Sequence, residues 1–324
     1  MATTESKPLI RTLYTWHVAL VTRHIDECVQ RLWNDFGIGP WQFVMFEFPE
    51  ADARLNGVPQ AMRISAAVTQ VGSLLLGFDQ PMTAPDPYSQ MLDARGGGAH
   101  HIAFAVDDSA GVRRQMHELG YRDLLTADRI GPQGEGAATY FDTRDDLGTF
   151  IELSKVPESL PPAGRTFPES GSPARTGAVA VRGTSHIAIA VRDLDSAIGH
   201  YQRLLGIGPW RIEEIATRGR VRGKEGVYAV KSARAVVGSL VLVLEQPSEP
   251  VGLLHEFLER YGQAIHRIGF LVNSLETSAR ELTRRGYTEI LRLYGGSDDQ
   301  AVSVVFDSER SVGVTIELRE NPIQ

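Results

Sequence analysis

One short sequence occurs twice in this chain and limits the folds that are open to it. Residues 37–41 read Gly-Ile-Gly-Pro-Trp, and residues 206–210 repeat the same five letters 169 positions later. Further residues match at offsets of 165 to 169, among them His17 and His186, His100 and His266, and Glu152 and Glu317. A nearly constant offset is the sequence signature of duplication, so the 324 residues are expected to contain two copies of one unit.

The duplication sets the predicted domain boundaries. We expect an N-terminal domain over residues 8–156 and a C-terminal domain over residues 184–321. The stretch between them, 157–183, is rich in Pro, Gly and Ser and has no apolar period, which predicts an interdomain linker.

Composition excludes several classes of protein. The formal net charge is −7 and the basic residues are scattered, which argues against a nucleic-acid partner. A single cysteine, Cys28, cannot form an internal disulfide and fits a reducing compartment. The first eleven residues lack an apolar leader segment, and no stretch is apolar for the ~18 residues that a membrane span needs. These features together predict a cytoplasmic protein with neither a nucleic-acid nor a membrane partner.

Each predicted domain contains a smaller repeated pattern. His17 and His101 each introduce a short apolar run that predicts a buried strand, and apolar residues at helical spacing follow. Gly37 and Gly120 then end the predicted helices, and further strand-like runs come after them. The pattern is a βαβββ module, present at residues 12–82 and 97–155 and twice more in the second domain. The predicted fold class is therefore α+β, built from four such modules.

Four segments carry a resemblance to a known family. They are the repeated turn and residues 16–21 (Trp-His-Val-Ala-Leu-Val), 98–108 (which begin Gly-Ala-His-His-Ile-Ala) and 148–153 (Gly-Thr-Phe-Ile-Glu-Leu). The sequence resembles the vicinal oxygen chelate, or glyoxalase/bleomycin resistance, superfamily, and within it the methylmalonyl-CoA-epimerase-like branch. The resemblance implies that the modules pair into two U-shaped mixed sheets flanked by helices. It also implies one divalent metal ion, held by the first and last strands of the paired modules, that chelates two neighbouring oxygens of the substrate.

The same resemblance implies which residues bind the metal ion. The expected ligands are His17, His101 and Glu152, whereas Gly77 stands at the fourth ligand position. Asp79 lies two residues further along the same strand face and is a candidate replacement. Two imidazoles and one carboxylate accept Fe, Mn, Co, Ni or Zn, so the sequence leaves the identity of the ion open.

The second copy departs from this ligand set. His186 and Glu317 are retained, but Val243 stands at the fourth position and Arg267 replaces the second histidine. A guanidinium repels a metal cation, so we expect a degenerate, metal-free copy that serves to form a pocket or to pack against the first domain.

One histidine in each domain is adjacent to the second ligand position. Side chains alternate along a strand, so His100 is expected on the face opposite to His101 and in a structural role. His266 aligns with His100, and it would join the second site only by turning inward.

A base is needed if the metal ion activates a substrate for proton removal. Glu47 lies on the strand after the repeated turn, and Tyr140 and Glu135 lie near the middle strands of the second module. Each of these three residues is a candidate, and each also has an ordinary role as a surface or core residue.

Three functions compete. The first is a metal-dependent isomerase, epimerase or lyase that forms an enolate-like intermediate from a small oxygenated organic substrate. The second is an Fe(II)-dependent dioxygenase of the extradiol type, which the two-unit chain and the missing fourth ligand favour. The third is a small-molecule-binding or resistance protein without catalytic activity. The expected partner is a small molecule in each case, and a homodimer is compatible with all three.

Overall fold

A computed structural model describes residues 9–169, 179–295 and 300–323. Within those ranges the chain forms two mixed β-sheets and eight α-helices, which confirms the predicted α+β class. In the first half the strands are β1 Thr15–Thr22, β2 Trp41–Phe48, β3 Ala53–Leu55, β4 Val58–Pro59, β5 Met62–Val71, β6 Leu74–Pro81, β7 Gly97–Ala105, β8 Asp123–Ile130, β9 Gly136–Thr143, β10 Thr149–Lys155 and β11 Arg165–Phe167. The helices of this half are α1 Ile25–Arg31, which continues as a π-helical turn Leu32–Phe36, α2 Ser89–Arg95, α3 Ser109–Glu118 and α4 Arg144–Leu147.

The second half repeats this order with fewer interruptions. Its strands are β12 Val181–Ala190, β13 Arg211–Val221, β14 Lys224–Val237, β15 Leu240–Pro247, β16 Ala264–Val272, β17 Thr288–Gly295, β18 Gln300–Asp307 and β19 Thr315–Arg319. Its helices are α5 Leu194–Leu205, α6 Leu253–Tyr261, α7 Leu275–Arg284 and α8 Glu309–Val312. No helix in the described ranges has the length and apolar character needed to cross a bilayer.

The first sheet places the first strands of two modules side by side. Its order is β11-β2-β5-β6-β1-β7-β10-β9-β8-β3-β4. At the centre β1 runs antiparallel to β7, while β6 is parallel to β1 and β10 is parallel to β7. The strands that carry His17, His101 and Glu152 are therefore direct neighbours.

The second sheet closes on itself, whereas the first stays open. In the second half β13 continues to residue 221, and its last three residues pair with β17. In the first half β2 ends at Phe48, directly before Pro49, which has no N–H group to donate to a strand ladder. The short hairpin β3–β4 follows and pairs with β8 instead.

The repeated turn ends a helix in each half. Gly37 and Gly206 adopt φ of 72° and 65°, the left-handed conformation that favours glycine after a helix. The indole N–H of Trp41 donates to the carbonyl of Ile38 at 2.7 Å, and Trp210 makes the same bond at 2.8 Å four residues after its own glycine. The five-residue motif thus has a structural role, because it forms the same helix-ending turn in both halves.

A β-bulge interrupts β7 at the histidine pair. Ala19 pairs with His101, but the next residue, Leu20, pairs with Ala99, so His100 is an extra residue without a partner on β1. A bulge breaks the alternation of side chains. The expectation that His100 points away from His101 is therefore wrong, since their Nδ1 atoms lie 3.1 Å apart.

The two halves share one buried core. Apolar side chains from both sheets form a continuous cluster, and the buried hydroxyl of Tyr201 donates to the carbonyl of Leu147 at 2.9 Å across the boundary. The N–H groups of Leu9 and Ile10 also donate to carbonyls at the end of α5. Part of the predicted linker, residues 170–178, lies outside the described residues, and the domain limits 8–156 and 184–321 stay predictions.

Candidate metal centre

The structure brings three of the predicted ligands together. The Nε2 atoms of His17 and His101 lie 3.1 Å apart. The Oε2 atom of Glu152 lies 3.1 Å from Nε2 of His101 and 3.4 Å from Nε2 of His17. The side chain of His101 is 0% exposed and that of Glu152 is 2% exposed.

These distances fit a common divalent ion. Two donor atoms that are each about 2.1 Å from an ion lie about 3.0 Å apart at a right angle and about 3.4 Å apart at a tetrahedral angle. The three measured separations fall in that interval. In addition, Oε2 of Glu152 is buried and has no hydrogen-bond partner among the described residues. A buried carboxylate oxygen is costly to leave unsatisfied, and a bound cation would satisfy it.

Neighbouring groups keep Glu152 ionised and oriented. Burial by itself raises the pKa of Glu152, but the imidazoles of His17 and His101 outweigh burial and hold the pKa well below its usual range. The hydroxyl of Ser154 donates to Oε1, which leaves Oε2 directed at the two histidines. A fixed second oxygen of this kind orients a metal ligand.

Two members of the cluster, His17 and Glu152, line a mainly apolar cavity. The cavity is also lined by Phe46, Phe48, Ile64, Val68, Leu125, Ile130 and Leu160. Three polar side chains besides the cluster face it, namely Asp79, Tyr88 and Tyr140. The hydroxyl of Tyr88 donates to Oδ2 of Asp79 at 3.1 Å. Asp79 is not part of the ligand cluster, and Gly77, at the fourth position, has no side chain to offer.

The candidate bases fall in different places. The ring centre of Tyr140 lies 4.8 Å from that of His101, at the wall of the cavity. Glu47 is on the other face of β2, because Phe46 and Phe48 point into the cavity, and it pairs with Arg63 at 2.8 Å. Glu135 lies in a turn, where its carboxylate accepts backbone N–H groups at 3.0 Å. Neither glutamate reaches the cavity.

Two site residues were not predicted from the sequence. Tyr88 lies directly before α2, in a region without a strand-like or helical pattern. Glu245 reaches the corresponding site of the second half, although the sequence comparison places Val243 at the fourth ligand position there. A signal for Glu245 exists, because it follows Asp79 at the offset of 166 that also relates His100 to His266.

An arginine fills the corresponding position in the second half. The guanidinium of Arg267 lies 2.6 Å from Oε1 of Glu245 and 2.8 Å from Oε2 of Glu317. His186 lies 3.4 Å from Glu317, and the bulge is repeated in β16, which brings His266 to 3.0 Å from Glu245. In the second half, the cation between the two carboxylates is thus a side-chain group, the guanidinium of Arg267.

Comparison with known proteins identifies the family. The model of the "Glyoxalase/Bleomycin resistance protein/Dioxygenase superfamily" matches residues 16–141 and 185–320, one match in each half. The chain belongs to this superfamily. The two matches also agree with the duplication that the repeated turn predicts.

The chain is also similar to several solved structures. A triple variant of 4-hydroxymandelate synthase from Streptomyces coelicolor has a TM-score of 0.64 and 16% identity, and the match covers 97% of this chain and 95% of that one. The Mn(II)-bound glyoxalase from Novosphingobium aromaticivorans has a TM-score of 0.50 and 11% identity over 95% and 82% of the two chains. Methylmalonyl-CoA epimerase from Mycobacterium tuberculosis has a TM-score of 0.33 and 24% identity over 44% and 90%.

A curated relative in sequence matches a shorter region. The uncharacterized protein YqjC of Bacillus subtilis (strain 168) is 28% identical over 96 residues, which cover 29% of this chain and 66% of that protein. The chain thus spans just under two thirds of this relative.

The arginine-filled site of this superfamily member predicts a dependence of stability on pH. Burial by itself raises the pKa of Glu245, but Arg267 and His266 outweigh burial and lower it from 4.5 to about 2. Because the folded pKa lies below the unfolded one, the stabilisation is complete above pH 4.5 and is lost as the pH falls towards 2. We expect about 3 kcal/mol of unfolding free energy to be lost over this interval. Urea unfolding from pH 5.5 to 2.5 measures this loss.

A matched pair of variants isolates the contribution of Glu245. The Glu245→Gln variant should show a shallower loss below pH 4.5 than the wild type, whereas the exposed-residue control Glu214→Gln should follow the wild type. Parallel curves for the wild type and Glu245→Gln would contradict the assignment.

Proposed function

We propose that the chain is a metal-dependent enzyme of the isomerase, epimerase or lyase type that acts on a small oxygenated organic substrate. His17, His101 and Glu152 bind the divalent ion. The observation that supports this function is the pairing of a buried ligand cluster with a second carboxylate, Asp79, in one apolar cavity. A substrate that contacts the ion at one wall is thereby within the same enclosure as a proton acceptor.

The bound ion supplies Lewis-acid stabilisation of negative charge on a substrate oxygen. Asp79 accepts the proton from the neighbouring carbon. Burial raises the pKa of Asp79, with smaller opposing effects of the imidazoles of His101 and His17, and a raised pKa makes the carboxylate a stronger base. The hydroxyl of Tyr88 holds Asp79 in place, and the apolar side chains of the cavity exclude water from the carbanion.

Tyr140 completes the polar lining of the cavity. Burial raises the pKa of Tyr140 well above its usual range, so its hydroxyl stays protonated and is a hydrogen-bond donor. We assign it the role of a donor to substrate oxygen, in place of the base role that the sequence left open for it.

Exchange of substrate protons with solvent tests this function. The metal-loaded protein is incubated in D₂O with thioesters, aromatic ketones and lactones, and deuterium incorporation next to the carbonyl is followed by NMR. We expect the Asp79→Asn variant to slow exchange by about 100-fold or more, the usual effect of losing a general base. The control Asp195→Asn, on the exposed face of α5, should keep the wild-type rate. Exchange in Asp79→Asn within threefold of the wild type would remove Asp79 as the base.

The ligand set also supports a second candidate, an Fe(II)-dependent dioxygenase of the extradiol type. Three protein ligands, with glycine at the fourth position, leave coordination sites for both substrate and O₂. Oxygen consumption by the Fe(II)-loaded protein with catechols, without deuterium exchange into carbonyl compounds, would favour this candidate. A protein that binds these compounds without a metal ion and transforms none of them would instead be the binding or resistance protein.

A further inference from the structure

A second cavity lies between the two halves and shares no lining residue with the metal cavity. It has a volume of 390 Å³, which is the size of a site for a small molecule. Its walls come from α2, β7 and the start of β10 on one side and from the end of α6 on the other. We call it the interdomain cleft.

The charged residues that line the interdomain cleft are all basic. Arg95, Arg144 and Arg260 line it together with His100, and none of its described lining residues is an aspartate or a glutamate. Arginines crowded in this way repel one another unless an anion lies among them.

Two of these arginines are not ion-paired in the described part of the chain, although the charge of Glu309 acts on both of them from a longer distance. In the described ranges neither Arg95 nor Arg260 forms an ion pair, and their guanidinium carbons lie 5.0 and 4.9 Å from the ring centre of Tyr261. The Tyr261 hydroxyl donates to Glu309 at 3.3 Å, but Glu309 does not line the cleft. Arg144, in contrast, forms a two-pronged ion pair with Asp142. The positive charge of the cleft is therefore only partly compensated.

One residue that lines the interdomain cleft, His100, has an unpaired buried nitrogen. His100 is 2% exposed, and its Nε2 atom has no hydrogen-bond partner among the described residues. Phe150 stacks on the imidazole at a ring distance of 4.3 Å, which fixes the plane of the ring. A buried polar atom without a partner is uncommon and calls for a ligand or an ordered water.

The contact between the two histidines decides which nitrogen of His100 carries a proton. This step rests on the proposed function, in which Nε2 of His101 binds the metal ion. The proton of His101 is then on Nδ1, which donates to Nδ1 of His100 at 3.1 Å. His100 accepts at Nδ1 and carries its own proton on Nε2. The unpaired Nε2 atom of His100 is thus a hydrogen-bond donor.

We propose that the interdomain cleft binds a small anion through phosphate or carboxylate oxygens. Arg95 and Arg260 supply the positive charge of its walls, and His100 lines the same cleft and has a buried Nε2 atom free to donate. Guanidinium groups match both kinds of oxyanion, so the shared chemistry is an oxyanion on a molecule small enough for 390 Å³. This site is distinct from the metal centre, although the His100–His101 contact joins the two.

Calorimetric titration of the full-length chain with inorganic phosphate, and separately with acetate, tests the proposal. We expect saturable binding at one site per chain for at least one of the two probes in a low-salt buffer free of other oxyanions. Replacing Arg260, which is exposed and forms no ion pair with any described residue, with glutamine should weaken binding by about tenfold or more. The His100→Phe variant, which removes the buried donor, should weaken it to a similar extent.

Controls separate this site from the metal centre. The Arg114→Gln variant removes an exposed arginine of α3 outside the cleft and should bind within twofold of the wild type. Titration is repeated after the chain has been treated with a chelator and dialysed, and binding should persist because the arginines do not depend on the metal ion. If neither probe binds saturably, or if Arg260→Gln and Arg95→Gln both bind within twofold of the wild type, the proposal is wrong, whatever the metal content is.

Discussion

Replacing Arg267 with methionine is expected to lower the free energy of unfolding by about 3–5 kcal/mol. The guanidinium lies between the carboxylates of Glu245 and Glu317, and all three side chains are nearly fully buried. Without it, two carboxylates remain in the core, and the basic groups left beside them in the described ranges are His186, His266 and the partly exposed Arg319. Breaking a buried ion pair by removing one partner leaves an uncompensated charge, which is the reason for the large effect. Urea unfolding at pH 7 measures it.

Removing all three charges is the matched control. A triple variant, Arg267→Met with Glu245→Leu and Glu317→Leu, should recover most of the stability lost in the single variant, because no buried charge is then left without a partner. A single variant within 1 kcal/mol of the wild type would show that the arginine does not hold this site together.

Replacing His101 with alanine is expected to abolish metal binding. Nε2 of His101 lies 3.1 Å from both other donor atoms, so the substitution leaves two ligands of the three. We expect about one divalent ion per chain in the wild type and less than a tenth of that in the variant. If the proposed function is correct, catalysis should fall at least 100-fold, because the ion would provide most of the charge stabilisation. Elemental analysis of protein purified without added metal gives the ion content.

A second substitution distinguishes loss of a metal ligand from loss of the fold. Glu152→Gln keeps the size of the side chain but removes its charge, and it should also lose the ion while it keeps the wild-type circular dichroism. The exposed control His24→Ala should retain the full metal content. A wild-type protein that contains no metal ion would favour the small-molecule-binding function instead.

The fold was accessible from the sequence because it leaves local signals, and the ligand candidates were accessible through the resemblance to the superfamily. A buried strand introduced by histidine, a glycine after a helix, and a repeat offset are patterns within a few residues. The polar groups around the ligands were less accessible. Tyr88 reaches Asp79 from the loop before α2, and Glu47 turns away because Phe46 and Phe48 face the cavity. Such placements depend on how segments distant in sequence pack.

The duplication and the module order follow from the sequence by itself, and the resemblance of the sequence to the superfamily implies the three ligand candidates. Tertiary structure decided the rest. Strand pairing across β1 and β7 leaves His100 as a bulge, and that bulge brings its ring to His101 while the residue lines the interdomain cleft. Packing of the second sheet places Arg267 between two carboxylates. Strand register and the pairing of buried charges are set by partners far away along the chain, so no local pattern records them.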